Sequence, residues 1–291
     1  MGALFALVSS LSWGAGDFLG GRATQRHGAL RVLAWSQFAA LLLLWIAVGL
    51  LVSGGAVTVD WHAVGIAAAG GVAGVTALAM FYSALAIGPM ALVPPIAASG
   101  VVLPVMIGLL RGDPPTVLAV SGLALGVLGV VLASTSPGAP SADGVAGARL
   151  APRTLLLALG AACGFAIIFV ALDAASGDTV ASAVVATAGV RIGSSLTLLA
   201  ALLVARTNPV AGVSSATAAS FVGIGLLDAG ANLCFAIATV LGRLEVVAVL
   251  ASLYPAVTSG LAAVVLGERL GRLQLVGVIF AVLGIVLLAR S

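Results

Sequence analysis

The residues best placed to do chemistry are charged side chains that lie inside long apolar stretches. Arg191 is near the middle of residues 180–205, and Asp228 is near the middle of residues 218–241. Because a charge inside a membrane is costly, such groups are paired or functional, and we expect these two to form an ion pair or to share a polar cavity. Asn232 lies one helical turn from Asp228 on the same face. The pair would either clamp two helices together or let the Arg191 guanidinium bind an anionic group such as a carboxylate.

A second carboxyl, Asp17, follows Trp13 by four residues, so the two side chains share a face if this stretch is helical. Asp17 is nearer to a helix end than Asp228, and it is either solvated or capping there, or buried. Burial would penalise its charged form, because desolvation raises the free energy of a carboxylate. A carboxyl that exchanges a proton near neutral pH is what a proton-coupled process needs.

Aromatic and proline residues in other apolar stretches could complete the wall of such a cavity. The candidates are Phe81, Tyr82, Pro95, Phe165 and Tyr254. For each aromatic side chain, packing or lipid contact is the alternative use. Pro95 removes a backbone donor inside an apolar stretch, so it produces either a simple kink or a broken helix beside a substrate path.

The composition places these residues in a membrane. The chain has 291 residues, of which 62% are hydrophobic and 7% are charged, whereas charged residues make up about 25% of an ordinary soluble domain. The net charge of +3 comes from arginine, because the sequence contains no lysine. A phosphate-binding loop of the Walker type and a Schiff-base lysine are therefore both excluded.

The remaining ligand-type residues do not form a metal or cofactor site in the sequence. His27 and His62 lie at loop-like positions and match no metal-binding spacing. Cys163 and Cys234 lie inside apolar stretches, where a cysteine behaves as a small hydrophobic residue. We expect no cofactor, no metal ion and no nucleic-acid partner.

The elements that carry the candidate residues are ten apolar stretches, which are long enough to cross a hydrocarbon core of about 30 Å as helices. The first five are residues 4–21, 30–52, 64–87, 90–110 and 117–133, and the second five are residues 155–172, 180–205, 218–241, 246–266 and 273–289. Residues 136–152, rich in Gly, Pro, Ser and Ala, form a linker between the predicted halves 1–135 and 153–291.

A faint internal repeat relates the two halves at a spacing of 155 residues. The matching pairs include Gly112 with Gly267, Asp113 with Glu268, Gly122 with Gly277, and Gly129 with Gly284. We expect Asp113 and Glu268 to share a structural role, fixing the turn before the next helix. Because each half has an odd number of spans, the two copies must enter the membrane in opposite senses. The sequence thus predicts an all-α polytopic membrane protein with ten transmembrane helices in two inverted five-helix repeats.

The end of the second half also resembles a known family. Ser252-Leu253-Tyr254-Pro255, followed by Gly267-Glu268, Gly277 and Gly284, is similar to the end of an EamA-type transporter of the drug/metabolite transporter superfamily. The pair Trp13-Gly14 resembles a Trp-Gly pair in the first helix of that family. The resemblance covers nearly the whole chain through the repeat, and it implies two five-helix halves.

The resemblance and the inverted repeat together lead us to expect a secondary active transporter that works by alternating access. It would export or exchange a small metabolite or drug-like compound, amino-acid-like or other, with protons as a possible coupling ion. We expect a multi-pass protein of the bacterial inner membrane, as a monomer or homodimer. The resemblance does not identify the substrate.

Two other functions fit parts of the sequence. Gly14-Ala15-Gly16-Asp17 matches the Gly-x-Gly-Asp signature of intramembrane aspartyl proteases, whose chemistry needs two carboxyls that share a proton. The second carboxyl would be Asp173 or Asp228, each of which follows a leucine rather than the tyrosine of that family. The other alternative is a lipid-carrier flippase on the same fold, which a long apolar groove open to the bilayer would favour.

The arginines of the loops leave the orientation open. The arginines in loops after odd-numbered spans are Arg22, Arg26, Arg31, Arg149, Arg153, Arg206, Arg269 and Arg272, against Arg111, Arg243 and Arg290 on the other side. Positive loops favour the cytoplasm, so this count places both termini outside the cell. The family resemblance implies the reverse.

Overall fold

The computed structural model describes residues 2–101, 116–135, 150–241, 250–251, 253–267 and 272–288. Regular secondary structure within these ranges is entirely helical. In the first half the helices are α1 (Gly2–His27), α2 (Ala29–Ser53), α3 (Trp61–Ile87), the short α4 (Val93–Ala97) with a 3-10 turn at Ala98–Val101, and α5 (Val117–Thr135). In the second half they are α6 (Pro152–Ser176), α7 (Val180–Val204), α8 (Ser215–Leu241), α9 (Tyr254–Leu266) and α10 (Arg272–Leu288).

Six of the described helices are long and apolar enough to cross a membrane, namely α1, α2, α3, α6, α7 and α8. Large apolar side chains on their outer faces are exposed; Leu42 is 64% exposed, Leu156 70% and Leu203 70%. A soluble protein rarely leaves so much apolar surface in water. The predicted all-α, multi-span membrane class is therefore confirmed, and the count of ten spans stays a prediction.

Several positions of the predicted repeat and spans lie outside the described residues. They are Gly112, Asp113 and Glu268 of the predicted repeat, most of the predicted linker, and the end of the fourth predicted span. Gly267 is described, and it follows the last residue of α9 in the left-handed conformation with φ of 66°. A glycine at this position ends a helix without steric cost.

Local sequence signals account for where helices begin. The Asp60 side chain caps α3, because its Oδ1 accepts from the backbone N–H of His62 at 2.9 Å and of Ala63 at 3.3 Å. Thr179 and Ser182 form a capping box at the start of α7, in which each side chain accepts from the other residue's backbone N–H. These caps let the chain turn at the membrane surface and re-enter as a regular helix.

Contacts between helices of the two halves come in matched pairs. The contact of α1 with α8 is matched by that of α3 with α6, and the contact of α2 with α8 is matched by that of α3 with α7. The contact of α1 with α9 is likewise matched by that of α4 with α6. Two further contacts, α5 with α10 and α2 with α7, each join a helix to its own counterpart. If the helices of each predicted half are matched in order, each of these contacts is converted into its partner when the halves are exchanged. This is the pattern that the predicted repeat would produce.

The same exchange holds for individual glycines at close helix contacts. A Cβ on Gly71 of α3 would collide with the carbonyl oxygen of Val190 in α7, and one on Gly225 of α8 would collide with the carbonyl oxygen of Ser36 in α2. Gly71 and Gly225 are 154 residues apart, as are Ser36 and Val190. The two contacts are thus related by the same separation along the chain, as the predicted repeat requires.

A second pair of glycines repeats this relation between α5 and α10. A Cβ on Gly129 would lie 2.7 Å from the carbonyl oxygen of Gly277, and a Cβ on Gly284 would lie 2.7 Å from that of Gly122. Here both separations along the chain are 155 residues, from 129 to 284 and from 122 to 277. Only small residues allow helix backbones to approach this closely.

One of these close approaches gives a stability prediction. A Cβ on Gly193 of α7 would overlap the carbonyl oxygen of Ala68 in α3, whereas nothing lies within 4 Å of the Cβ position of Gly223 in α8. We expect Gly193→Ala to lower the free energy of unfolding by about 1–3 kcal/mol, because the backbones must separate. Gly223→Ala should leave stability unchanged or raise it by up to about 1 kcal/mol. Thermal unfolding in detergent measures both, and equal midpoints would contradict the packing.

Candidate functional site

A cavity of about 70 Å³ lies among α1, α2, α3, α6, α7, α8 and α9. Its polar lining residues are Asp17, Gln37, Arg191, Ser194, Asp228 and Asn232, and its other lining residues are Trp13, Gly74, Val75, Leu78, Phe165, Ile168, Val190 and Tyr254. Each water in the liquid occupies about 30 Å³, whereas pockets for drug-sized ligands measure about 300–1,000 Å³. In this conformation the cavity encloses a few waters or one small functional group.

The two central charges are in direct contact. Nη1 of Arg191 lies 2.6 Å from Oδ2 of Asp228, and the Arg191 residue is 3% exposed. Asn232 supports the carboxylate, since its Nδ2 donates to the Asp228 carbonyl oxygen at 2.7 Å and to Oδ1 at 3.2 Å. The contact expected from the sequence is present. Each charge compensates the other in a region where an isolated charge would cost several kcal/mol.

Gln37 completes this network and was not a candidate in the sequence. Its Oε1 accepts from Nη1 of Arg191 at 2.6 Å, and its Nε2 donates to Oδ2 of Asp228 at 3.3 Å. Gln37 is 1% exposed and lies inside α2. The available signal was a polar amide within the apolar stretch 30–52. A buried amide, like a buried charge, costs free energy unless it is hydrogen-bonded, but the cost is smaller.

Arg191 keeps donors that the protein does not use. Its Nε and Nη2 are buried and have no hydrogen-bond partner among the described residues. Leaving a buried donor unsatisfied costs about 1–3 kcal/mol, and more for a charged group. These two nitrogens form one edge of the guanidinium, which can bind both oxygens of a carboxylate. The geometry of this edge would therefore suit an anionic group.

Asp17 is the second carboxyl of the cavity. It is 8% exposed, and the side-chain hydrogen bonds and the ion pair found among the described residues do not include its carboxyl. The neighbouring Trp13 ring packs edge-on against Tyr254, with centroids 6.1 Å apart, and tilted against Phe235 at 5.8 Å. Asp17 thus lies beside an aromatic surface, in a cavity that holds two carboxyls and one guanidinium.

The other predicted wall residues divide into two groups. Phe165 and Tyr254 line the cavity. Phe81 is fully buried behind it and packs edge-to-face on Phe165, with ring centroids 5.7 Å apart. Tyr82 lies against Gly20 of α1, and Pro95 is buried within the short α4. These last three support the wall rather than line it in this conformation.

The cavity lies where the two halves meet. At the 154-residue separation that relates Gly71 to Gly225, Arg191 corresponds to Gln37, and Asp228 corresponds to Gly74. All four of these lining residues face the same cavity. Arg191 and Gln37, which the predicted repeat makes equivalent, are also hydrogen-bonded to each other.

A separate apolar groove lies on the outer surface of α2, α3 and α7. It is lined by Leu41, Leu42, Trp45, Trp61 and Ile192, with the Trp45 and Trp61 rings stacked at a centroid distance of 6.0 Å. None of these residues lines the cavity. Within the described part of the chain, no three His, Cys, Asp or Glu side chains are grouped closely enough to hold a metal ion.

Comparison with known proteins gives a family and a fold. A model of the EamA-like transporter family matches residues 1–135 and 152–290. A protein solved by crystallography superposes with a TM-score of 0.63 at 18% identity, over 98% of this chain and 95% of that chain. That likeness concerns the fold alone. No curated protein sequence matches the chain.

Proposed function

Because the chain belongs to the EamA-like transporter family, we propose that it moves a small metabolite with a carboxylate group across the membrane, and that the cavity around Arg191 is the transport site. The protein is an integral membrane protein that crosses the bilayer several times. The proposal depends on one observation above all. A buried arginine of the cavity has two donors, Nε and Nη2, that no described residue uses.

The Asp228 carboxylate explains why this arginine can bind and release its substrate. A lone guanidinium in a low-dielectric cavity would hold an anion too tightly for rapid release, whereas Asp228 already compensates most of the charge. The substrate carboxylate then gains hydrogen bonds to Nε and Nη2, in competition with water. A cavity of about 70 Å³ has room only for the charged end of a small metabolite, amino-acid-like or other. The pathway must therefore widen during the transport cycle.

Alternating access is supported by the matched contacts of the halves. If the ten predicted stretches all cross the bilayer, five spans in each half require the axis that relates the halves to lie in the membrane plane. Residues 1–135 and 153–291 would then be inverted repeats. Exchange of their conformations opens the shared cavity to one side and then to the other.

Proton coupling is supported by Asp17. Its carboxyl is buried in the cavity and lacks a described partner, while the charge of Asp228 is matched by Arg191. An isolated carboxylate in this environment is costly, so Asp17 needs a proton or a cationic group of the substrate. If a proton and the cationic group of the substrate occupied Asp17 in turn, export of the substrate would be coupled to entry of protons. We place the protein in the bacterial inner membrane, where such a proton gradient exists, as a monomer or homodimer.

Transport by purified protein in liposomes tests this function. Vesicles loaded with one of a panel of small carboxylates, including amino acids, should exchange it for the labelled external compound. Arg191→Lys should reduce the exchange at least about tenfold, because an ammonium cannot form the two-donor edge. The exposed Arg26→Lys is the matched control and should exchange like the wild type. Equal rates in the two variants would contradict the proposed site.

The two alternative functions receive less support. An aspartyl protease needs two carboxyls that share a proton; Asp17 and Asp228 do line one cavity, but Asp228 is in an ion pair with Arg191. The side chain of Asp173 lies outside the described residues. A lipid flippase needs a continuous apolar path from the bilayer, and the outer groove at Trp45 and Trp61 shares no residue with the polar cavity.

A further inference from the structure

We propose that Gln37 is a positioning residue, which holds the Arg191 guanidinium so that its Nε and Nη2 edge is presented to the substrate carboxylate. This inference rests on the proposed function of the cavity and adds a residue to it. The role follows from how the hydrogens of the guanidinium are shared among Gln37, Asp228 and the cavity.

Nη1 carries two hydrogens, and both are used inside the protein. One interacts with Oε1 of Gln37 and the other with Oδ2 of Asp228, each at a heavy-atom distance of 2.6 Å. The planar guanidinium is therefore fixed at one corner by two acceptors. The opposite edge, Nε and Nη2, is left without a described partner. If Gln37 did not accept from Nη1, the plane could turn about its contact with Asp228.

Gln37 also fixes the carboxylate that anchors this corner. Its Nε2 donates to the same Oδ2 of Asp228, at 3.3 Å. Asn232 holds the other oxygen, Oδ1, at 3.2 Å. The Asp228 carboxylate thus cannot rotate to offer both of its oxygens to Arg191, which would occupy the edge that the substrate needs.

The neutrality of Gln37 is as important as its shape. A carboxylate at this position could accept from Nη1 equally well, but it would place a second negative charge beside Arg191. The guanidinium would then be overcompensated and would no longer attract an anion. In the proposed repeat, the position equivalent to Gln37 is that of Arg191. An arginine at position 37 as well would bring two positive charges together. A neutral amide avoids both outcomes.

Acetate is the probe for this inference, because it contains the carboxylate and is small enough for the closed cavity. In protein labelled with ¹⁵N-arginine, the Nε–H resonance of Arg191, assigned by its loss in Arg191→Lys, should shift on titration with acetate. Chloride and methylammonium at the same concentration should not reproduce that shift. In Gln37→Glu the acceptor for Nη1 is kept, but the acetate affinity should fall at least about tenfold, because a second carboxylate beside Arg191 repels the anion.

Gln37→Leu should weaken acetate binding by a similar factor, and it should also broaden the Nε–H resonance because the guanidinium is no longer held. Ser36→Ala is the matched control: it changes the neighbouring buried polar residue of α2, whose hydroxyl donates only to the Leu33 carbonyl oxygen at 3.1 Å. This control should bind acetate like the wild type. If Gln37→Leu does not fold, Gln37→Met takes its place, because methionine is close to glutamine in length and also lacks the oxygen acceptor.

The outcomes separate this inference from the proposed function. Wild-type affinity for acetate in Gln37→Leu would overturn the positioning role, whatever the transport assay shows, and wild-type affinity in Gln37→Glu would overturn the requirement for a neutral side chain. Absence of any acetate-dependent shift of the Arg191 resonance in the wild type would overturn the positioning role as well. A normal shift that depends on Gln37, in a protein that exchanges no carboxylate in liposomes, would support the positioning role and contradict the proposed transport.

Discussion

Replacing Arg191 with methionine should cost about 3–5 kcal/mol of folding free energy and abolish transport. The change leaves the Asp228 carboxylate, whose side chain is 16% exposed, without its partner inside the bundle. An uncompensated charge in such a place is more costly than the loss of the ion pair itself. We expect a clear fall in the thermal midpoint of the detergent-solubilised protein, together with loss of carboxylate exchange in liposomes.

The double variant Arg191→Met with Asp228→Leu separates the two effects. With both charges removed, the apolar side chains can pack in the bundle, and stability should return to within about 1–2 kcal/mol of the wild type. Transport should stay absent, because the guanidinium that binds the carboxylate is gone. A double variant as unstable as the single one would show that the loss comes from the Gln37 and Asn232 amides left without their partners, rather than from an uncompensated charge. A double variant that transports would refute the proposed site.

Asp17→Asn should abolish accumulation driven by a proton gradient while exchange of substrate at equal pH continues. A difference of one pH unit is worth about 1.4 kcal/mol per proton, which is about a tenfold concentration ratio of substrate if one proton moves per cycle. The wild type should approach that ratio. The variant should reach a ratio of about one, because an amide cannot gain and lose the proton that couples the two fluxes.

Asp60→Asn is the matched control for Asp17→Asn. Asp60 is an exposed carboxylate that caps α3, and asparagine preserves the cap. Its accumulation ratio should equal that of the wild type. A wild-type ratio that does not respond to the imposed gradient would count against proton coupling, and an unchanged ratio in Asp17→Asn would show that another group carries the proton.

Hydropathy predicted where the helices lie better than where they end. Apolar residues mark the part of a helix inside hydrocarbon, and backbone hydrogen bonding continues beyond it. The first predicted stretch ends at residue 21, whereas α1 continues through Arg22 and Arg26 to His27. These charged side chains reach water from the last turns of the helix, so they end the apolar stretch without ending the helix.

The polar centre of the site was predictable because charged residues are costly in lipid, whereas its wall was predictable only in part. Arg191 and Asp228 stand out in any apolar stretch, whereas the amide of Gln37 carries no charge and attracts less attention. Phe81 and Phe165 are both aromatic and lie in helices without a polar face, yet only Phe165 lines the cavity. Since lipid and protein interior are both apolar, composition alone does not show which face of such a helix is inside.

The position of Arg191 has an electrical consequence. Arg191 and Gln37 are hydrogen-bonded to each other. If the two halves are the proposed inverted repeats, these positions are equivalent, and the axis that relates the halves would pass close to both. A group near the axis of a rocking motion changes depth very little. The membrane voltage, which does about 2.3 kcal/mol of work on an elementary charge per 100 mV crossed, would therefore act weakly on this arginine. The current carried in each turnover would then reflect the charges of the substrate and the coupled protons, with almost no contribution from the guanidinium.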